Sequence, residues 1–110
     1  MPYGLKDTDL QKLTNVFAAN KHIESAILYG SRAKGNYKPF SDIDITLIGE
    51  ELTHRDLNRI LLAVDDLLLP YQTDISIFNT LNNDNLIDHI NRRGITIYKK
   101  NSPQTLSSAG

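Results

Sequence analysis

Apolar residues recur along the chain at two different spacings, which predicts a mixture of helices and strands. Apolar positions three and four residues apart predict helices at 8–20, 54–68 and 84–93. Short runs that are apolar throughout, or that alternate apolar and polar positions, predict strands at 25–29, 42–48, 73–78 and 95–98. The chain therefore reads as short strands separated by amphipathic helices.

Residues that commonly border helices stand at the ends of these segments. Thr8 and Gln11 have the spacing of a capping box, and Thr53 precedes the second helical segment as an N-cap residue. Pro70 closes that second segment, and Gly94 follows the third at the C′ position that glycine favours.

Two aspartates open the second predicted strand. Asp42 and Asp44 are two residues apart, so a strand places both carboxylates on one face, roughly 6 to 7 Å apart. Two carboxylates separated by so short a distance raise each other's pKa unless a cation lies between them. Oxygen ligands of this kind favour Mg²⁺ or Mn²⁺. Asp74 opens the third predicted strand in the same phase, and it joins the other two if the strands are neighbours in register.

The segment before these acids carries only positive charge. Gly30 and Gly35 allow the backbone to approach a ligand closely, and Ser31 offers a hydroxyl beside main-chain N–H groups. The cationic residues of this segment are Arg32, Lys34 and Lys38. The two glycines have the spacing of a Walker A loop, but Asn36 and Tyr37 stand where that motif requires Lys and then Ser or Thr. A polyphosphate site that is not a P-loop is the best interpretation.

The pattern Gly30-Ser31, ten residues, then Asp42-Ile43-Asp44 resembles the nucleotidyltransferase family that includes DNA polymerase β. The longer run GSRAKG…SDIDI resembles the minimal nucleotidyltransferases, many of which serve as antitoxins to a neighbouring HEPN-domain protein. Lys34 stands where that family usually has Arg, which keeps the charge but loses the bidentate fork. The resemblance implies an α+β fold of the polymerase β type, with a mixed central sheet of about four strands flanked by helices.

The resemblance also implies roles for particular residues. Asp42, Asp44 and Asp74 would be the catalytic carboxylates and would bind Mg²⁺, with two ions expected and ATP as substrate. Gly30 and Ser31 would hold the β and γ phosphates, and Arg32 and Lys34 would add cationic contacts to the nucleotide. Asp74 would bind the metal on the nucleophile side.

Length and composition exclude several other classes of protein. The 110 residues suffice for one domain, expected at 1–100, with a Ser-, Thr- and Pro-containing tail at 101–110 that is expected to be disordered. The absence of cysteine excludes a disulfide, a thiolate nucleophile and the usual kind of zinc site. A net charge of −1 gives no basic face for broad nucleic-acid binding.

The remaining composition bears on location and on the histidines. No apolar run approaches the roughly 20 residues of a membrane span, so a soluble cytoplasmic protein is expected. His22, His54 and His89 are scattered along the chain, and we expect them to be surface residues rather than catalysts.

These observations favour an enzyme that transfers AMP from ATP to a hydroxyl of a partner protein. The chain has no room for an acceptor domain, and the resemblance implies that the acceptor is a tyrosine of a HEPN-type toxin RNase. Two alternatives remain open. One is an adenylyltransferase acting on a small molecule such as an aminoglycoside, and the other is an antitoxin without catalysis that blocks its partner by occlusion.

Overall fold

Four helices and four strands make up the framework of the protein, seen in a computed structural model that describes residues 2–100. The helices are α1 (Asp7–Ala18), α2 (Ser31–Lys34), α3 (His54–Asp66) and α4 (Asp84–Arg93). The strands are β1 (Ser25–Tyr29), β2 (Ile43–Ile48), β3 (Thr73–Ile77) and β4 (Ile95–Lys99). Short 3-10 turns lie at Pro2–Gly4 and Phe78–Thr80. The tail expected at 101–110 lies outside the described residues.

The four strands form one sheet in the order β3-β2-β1-β4. Strand β1 pairs antiparallel with both β2 and β4, whereas β2 and β3 are parallel. Parallel neighbours require a crossover connection, and α3 provides it between β2 and β3. The α+β fold with a mixed sheet of four strands is therefore confirmed.

The main core lies on one face of the sheet, beneath α1 and α3. Leu13 and Phe17 of α1 and Ile60 of α3 are buried there against apolar residues of the strands. Helix α4 lies against the other face, where its His89 contacts Tyr29 of β1. The sheet is thus apolar and covered on one side, while its second side is only partly covered and carries polar residues.

The helix borders agree with the sequence in part. The N-cap at Thr53 is confirmed: the backbone N–H of Asp56 donates to Thr53 Oγ1 at 3.2 Å, and Asp56 Oδ2 accepts from the Thr53 N–H at 3.0 Å. The capping box at Thr8 is wrong, because α1 begins one residue earlier, at Asp7, and Thr8 lies inside the helix. Gly94 does end α4, but its backbone is extended, at φ −64° and ψ 145°.

The cap of α3 is tied to the end of α1 through one carboxylate. Asp56 Oδ2 lies 2.9 Å from His22 Nδ1, and Asp56 Oδ1 accepts from the side-chain amide of Asn20 at 3.3 Å. The hydrogen bonds from His22 and from the Thr53 backbone hold the pKa of Asp56 well below its usual range. This network joins α3 to the turn before β1.

No helix within residues 2–100 combines the length and the apolar character that crossing a membrane would need.

Candidate functional site

The predicted acids come from two adjacent strands. Asp44 of β2 and Asp74 of β3 are direct partners in the parallel register, so their side chains lie on the same face of the sheet. Asp42 is exposed and lies just before β2, two residues from Asp44. The register therefore brings Asp44 and Asp74 together and places Asp42 next to them.

The electrostatics of Asp44 show that these acids influence one another. Burial raises its pKa, and the charges of Asp74 and Asp42 raise it further, whereas His89 has the opposite effect. Ionising Asp44 is thus less favourable than ionising a free carboxyl. A divalent cation bound beside Asp44 would offset this penalty.

The floor beside the acids is formed by polar and aromatic groups of the same sheet face. Tyr29 is the partner of Asp44 on β1 and is buried. Burial, Asp74 and Asp44 raise the pKa of the Tyr29 phenol, while a hydrogen bond with Ser76 lowers it. The hydroxyl of Ser76 also donates to Thr46 Oγ1 at 3.1 Å. These groups fix the surface from which the carboxylates project.

The glycine-serine turn lies directly against this acidic pair. Gly30 has φ 78° and ψ −155°, a conformation that residues with a Cβ rarely adopt. A Cβ at Gly30 would overlap the carboxylate of Asp44. Helix α2 begins immediately afterwards, at Ser31. No pattern in the sequence predicts this helix, since a single turn is too short to show a period.

His89 contacts the glycine-serine turn, a position that the expectation of scattered surface histidines did not foresee. The backbone N–H of Gly30 donates to His89 Nε2 at 2.9 Å. The imidazole lies edge-on to Tyr29, with ring centroids 6.2 Å apart. His89 shares the inner face of α4 with Leu86 and Ile90, and this helical spacing is the signal that could have located it.

Arg32 does not lie where the sequence analysis expects it. Its side chain is 1% exposed. Its guanidinium donates to three backbone carbonyls: Nη1 to Tyr3 at 2.9 Å, Nη2 to Pro39 at 3.4 Å and to Ser41 at 2.9 Å, and Nε to Ser41 at 3.2 Å. The expected contact of Arg32 with phosphate is therefore not met. Lys34 and Lys38 are exposed and remain the cations of this segment that a ligand can reach.

The acids form an open cluster rather than a closed cage. Within the described part of the chain, no three acidic or histidine side chains are gathered closely enough to enclose a metal ion. Mg²⁺ is commonly bound by one or two protein carboxylates, with substrate phosphates and water completing its shell. An open set of carboxylates beside a phosphate-sized turn fits that mode of binding.

A cleft of about 440 Å³ lies between α1 and α3, away from the predicted acids, and is lined by residues that include Val16, His22, Asp56 and Arg59. None of the predicted site residues lines it. Chemistry and register, rather than the shape of a pocket, locate the candidate site.

The fold is similar to that of chains in several toxin–antitoxin crystal structures. One, the crystal structure of a toxin–antitoxin with AMP-PNP, matches with 17% identity and a TM-score of 0.65, over 96% of this chain and 82% of that one. Another is the tri-AMPylated Shewanella oneidensis HEPN toxin in complex with its MNT antitoxin, with 13% identity, a TM-score of 0.65, and 94% and 79% coverage. The toxin–antitoxin MntA-HepT gives 14% identity, a TM-score of 0.63, and 94% and 79% coverage.

The sequence comparisons identify a protein family but no individual curated relative. A search of curated protein sequences finds no match. The family model described as "Polymerase beta, Nucleotidyltransferase" matches residues 11–103, which include the glycine-serine turn and all three aspartates. The resemblance seen in the sequence is confirmed, and the chain belongs to the polymerase β nucleotidyltransferase family.

Proposed function

We propose that this nucleotidyltransferase transfers AMP from ATP to a hydroxyl of a partner protein, in a reaction that depends on Mg²⁺. The observation that carries the proposal is the contact between two parts of the site. Asp44 and Asp74 are partners in the sheet, and the Gly30 backbone lies so close to the Asp44 carboxylate that a Cβ there would overlap it. A triphosphate seated on the turn would place its phosphates beside the acids.

The three carboxylates are the residues that would hold the metal. Asp42, Asp44 and Asp74 would supply the oxygen ligands, with one or two of them bound to each ion and the rest of the shell left to phosphate and water, and a divalent cation would relieve the repulsion that Asp44 feels from the other two. When bound, Mg²⁺ would neutralise the triphosphate and lower the pKa of the attacking hydroxyl.

The turn and the exposed lysines would hold the triphosphate. Ser31 offers its hydroxyl and backbone N–H next to Gly30, and Lys34 is exposed at the end of the same helical turn. Lys38 lies further along the same loop and is also exposed. These contacts orient the α-phosphorus toward the acids, and such positioning supplies most of the catalysis in phosphoryl transfer.

Asp74 is the residue that we assign to proton transfer. The acceptor oxygen forms a bond to the α-phosphorus, the bond to the leaving pyrophosphate breaks, and the proton of the hydroxyl passes to the Asp74 carboxylate. Asp74 is exposed at the start of β3, where an incoming hydroxyl can reach it. Asp44 is more enclosed, against Gly30, and its place suits it to hold the metal rather than to meet the acceptor.

The similar structures support the choice of ATP and of a protein acceptor. One similar structure holds AMP-PNP, and another holds a tri-AMPylated HEPN toxin with its antitoxin. We therefore propose a HEPN-type toxin as partner, a tyrosine as acceptor, and an antitoxin role in the cytoplasm. The exposed positions of Asp42 and Asp74 leave the site open to a large acceptor.

The test is transfer of label from ATP to the partner. The chain is incubated with [α-³²P]ATP, Mg²⁺ and the proposed partner, a HEPN-domain protein from the same organism, and the labelled residue is identified by mass spectrometry. We expect label on a tyrosine of the partner with the wild type and with the control Asp65→Asn, an exposed acid of α3. Label should be absent with Asp44→Asn. An unlabelled partner that still binds the wild type would contradict the proposal.

Occlusion without catalysis is the second candidate, and exposed apolar side chains favour it. Leu62 and Leu68, in and after α3, are 66% and 87% exposed. A partner covering them would be blocked without any chemistry. The double substitution Asp42→Ala plus Asp44→Ala separates the two candidates in a toxicity assay. Retained neutralisation of the toxin would favour occlusion, and lost neutralisation with retained binding would favour AMP transfer.

A further inference from the structure

We propose that Arg32 is a positioning residue, which holds the loop before Asp42 and the start of β3 in place around the glycine-serine turn. The guanidinium contacts the segments on which the candidate site is built, although it does not face the site. Its effect on catalysis rests on the proposed AMP transfer, whereas its effect on the loop does not.

The hydrogen bonds of Arg32 fix the loop that carries Asp42. Two guanidinium nitrogens, Nε and Nη2, donate to the carbonyl of Ser41, the residue immediately before Asp42. Nη2 also reaches the carbonyl of Pro39. Because Arg32 belongs to α2, which starts at Ser31, these bonds set the distance between the turn and the first aspartate.

The aromatic contacts of Arg32 extend this link to β3. Its guanidinium carbon lies 5.0 Å from the ring centroid of Tyr71 and 5.3 Å from that of Tyr37. Tyr71 precedes β3 by two residues, and the carbonyl of the intervening Gln72 accepts from the N–H of Ile43 at 2.8 Å. The segments that lead into Asp42 and Asp74 therefore meet at the same side chain.

The amino-terminal turn is held by the same group. Nη1 of Arg32 donates to the carbonyl of Tyr3 at 2.9 Å. Tyr3 and Gly4 have φ values of 59° and 73°, in the left-handed region. A Cβ at Gly4 would overlap the Tyr37 ring and crowd Arg32 Nη1. The turn at Pro2–Gly4 thus closes over the guanidinium and shields it from water.

The loop has few other anchors. Between residues 37 and 42, the described hydrogen bonds that do not involve Arg32 join Lys38 to Ser41, which are both in the loop itself. Its largest apolar side chain, Phe40, is 94% exposed and contributes no packing. Arg32 is therefore the main connection between this loop and the body of the protein.

Only arginine fits this arrangement. The planar fork donates in several directions at once while both of its faces remain free for the tyrosine rings. A lysine ammonium could satisfy one or two carbonyls but could not span Tyr3 and Ser41 together. We therefore expect Arg32→Lys to loosen the loop although it keeps the charge.

The experiment compares Arg32→Lys with Arg55→Lys, a matched change at an exposed arginine of α3. Hydrogen exchange of the amides at 36–43 should become about tenfold faster in Arg32→Lys, with exchange in α3 unchanged. With the HEPN partner, kcat should fall about tenfold to hundredfold while KM for ATP changes less than about threefold. Arg55→Lys should match the wild type in both measurements.

Each possible result either supports or contradicts the proposed role of Arg32. Wild-type exchange at 36–43 in folded Arg32→Lys would overturn the proposal, and so would accelerated exchange with an unchanged kcat. If Arg32→Lys does not fold, Tyr71→Leu provides the same comparison, because it removes one ring face and keeps an apolar side chain. If the wild type itself transfers no AMP, the proposed function fails, and the exchange data alone still judge the role of Arg32 in holding the loop.

Discussion

At the scale of single residues, the contact between Gly30 and Asp44 gives a sharp comparison between two glycines. Gly30 and Gly35 both have positive φ, at 78° and 87°. A Cβ at Gly35 would meet nothing within 4 Å, whereas one at Gly30 would overlap a carboxylate. Gly35→Ala should therefore cost only the conformational penalty of about 1 to 2 kcal/mol.

Gly30→Ala should cost more than Gly35→Ala in the free energy of unfolding, because it adds steric overlap and because the Gly30 backbone, at ψ −155°, lies in a region almost restricted to glycine, whereas Gly35, at ψ 2°, is left-handed helical. It should also abolish AMP transfer, because Asp44 must move. Urea denaturation of the two variants measures the first effect, and labelled ATP measures the second. Equal unfolding free energies would show that the turn does not press on Asp44.

The raised pKa of Asp44 predicts a dependence of stability on pH and Mg²⁺. A carboxyl whose pKa is higher in the folded state contributes stability that is present in acid and lost as the pH rises through that pKa. Asp44→Asn should therefore raise the melting temperature near neutral pH by on the order of a few degrees. The difference should vanish below about pH 3, where the carboxyl is largely protonated in both states.

Mg²⁺ should reverse the sign of this effect. It should raise the melting temperature of the wild type and of the control Asp65→Asn at neutral pH, and should leave Asp44→Asn unchanged. Thermal unfolding followed by circular dichroism, with and without Mg²⁺, measures both effects. A wild type that does not respond to Mg²⁺ would contradict the proposed metal site.

His89 gives a third prediction at this scale. His89→Leu keeps the bulk of the side chain but removes the acceptor of the Gly30 N–H, at a cost of about 1 kcal/mol. His89→Gln can restore an acceptor and should recover part of that loss. The control is His54→Leu at an exposed position of α3. The free energy of unfolding, measured in urea, and the rate of AMP transfer should rank the variants in the same order. A His89→Leu variant that equals the wild type in both would show that His89 does not support the site.

What the sequence reveals about single residues depends on whether their neighbours are local. The sequence predicts the shared face of Asp42, Asp44 and Asp74, because the alternation along each strand fixes the face on which an acid lies. It does not predict the buried position of Arg32, because the acceptors at Tyr3 and Ser41 are brought to that side chain by the tertiary fold. His89 is intermediate: its helical phase points inward, but its partner Gly30 is 59 residues away.

At the scale of elements, the cap of α3 offers a test with its own internal control. Thr53 accepts from the Asp56 N–H, so Thr53→Ala should lower the free energy of unfolding by about 1 kcal/mol. Thr8→Ala lies inside α1, where no cap is lost, and should be neutral or slightly stabilising because alanine favours helices. Thermal or urea unfolding measures both variants. Equal losses would show that the Thr53 cap contributes nothing beyond helix propensity.

The sequence predicts most of the helices and strands, but it does not predict how the strands pair. Periodicity predicts the three long helices and four strands because each buries one face. It does not predict α2, which is a single turn, and it misplaces the start of α1, where the N-cap residue Lys6 makes no side-chain capping bond. The parallel pairing of β2 with β3 cannot be predicted from the sequence of either strand. Polar and apolar residues would alternate around Asp44 and Asp74 in the same way whatever the register between the strands.

At the scale of the whole molecule, the sheet order means that β1, the first strand, depends on β4, the last strand, to cover one of its edges. Strand β4 covers the edge of β1 that β2 does not, and the Lys100 N–H donates to the Glu24 carbonyl beyond it. A chain ending at residue 94 should lose this pairing and aggregate, because β1 would present an open edge. A chain ending at residue 100 keeps β4 and should elute on gel filtration at the volume of the full-length chain. Comparable solubility of the two would show that β4 is dispensable.

The position of β4 in the sheet also has a consequence during translation. The turn and all three aspartates lie between residues 30 and 74, yet His89 and β4, which hold Gly30 and β1, are synthesised later. A ribosome-bound chain that stops short of α4 therefore carries every carboxylate without the support for the turn. A nascent chain should therefore gain nucleotidyltransferase activity only after β4 has left the exit tunnel.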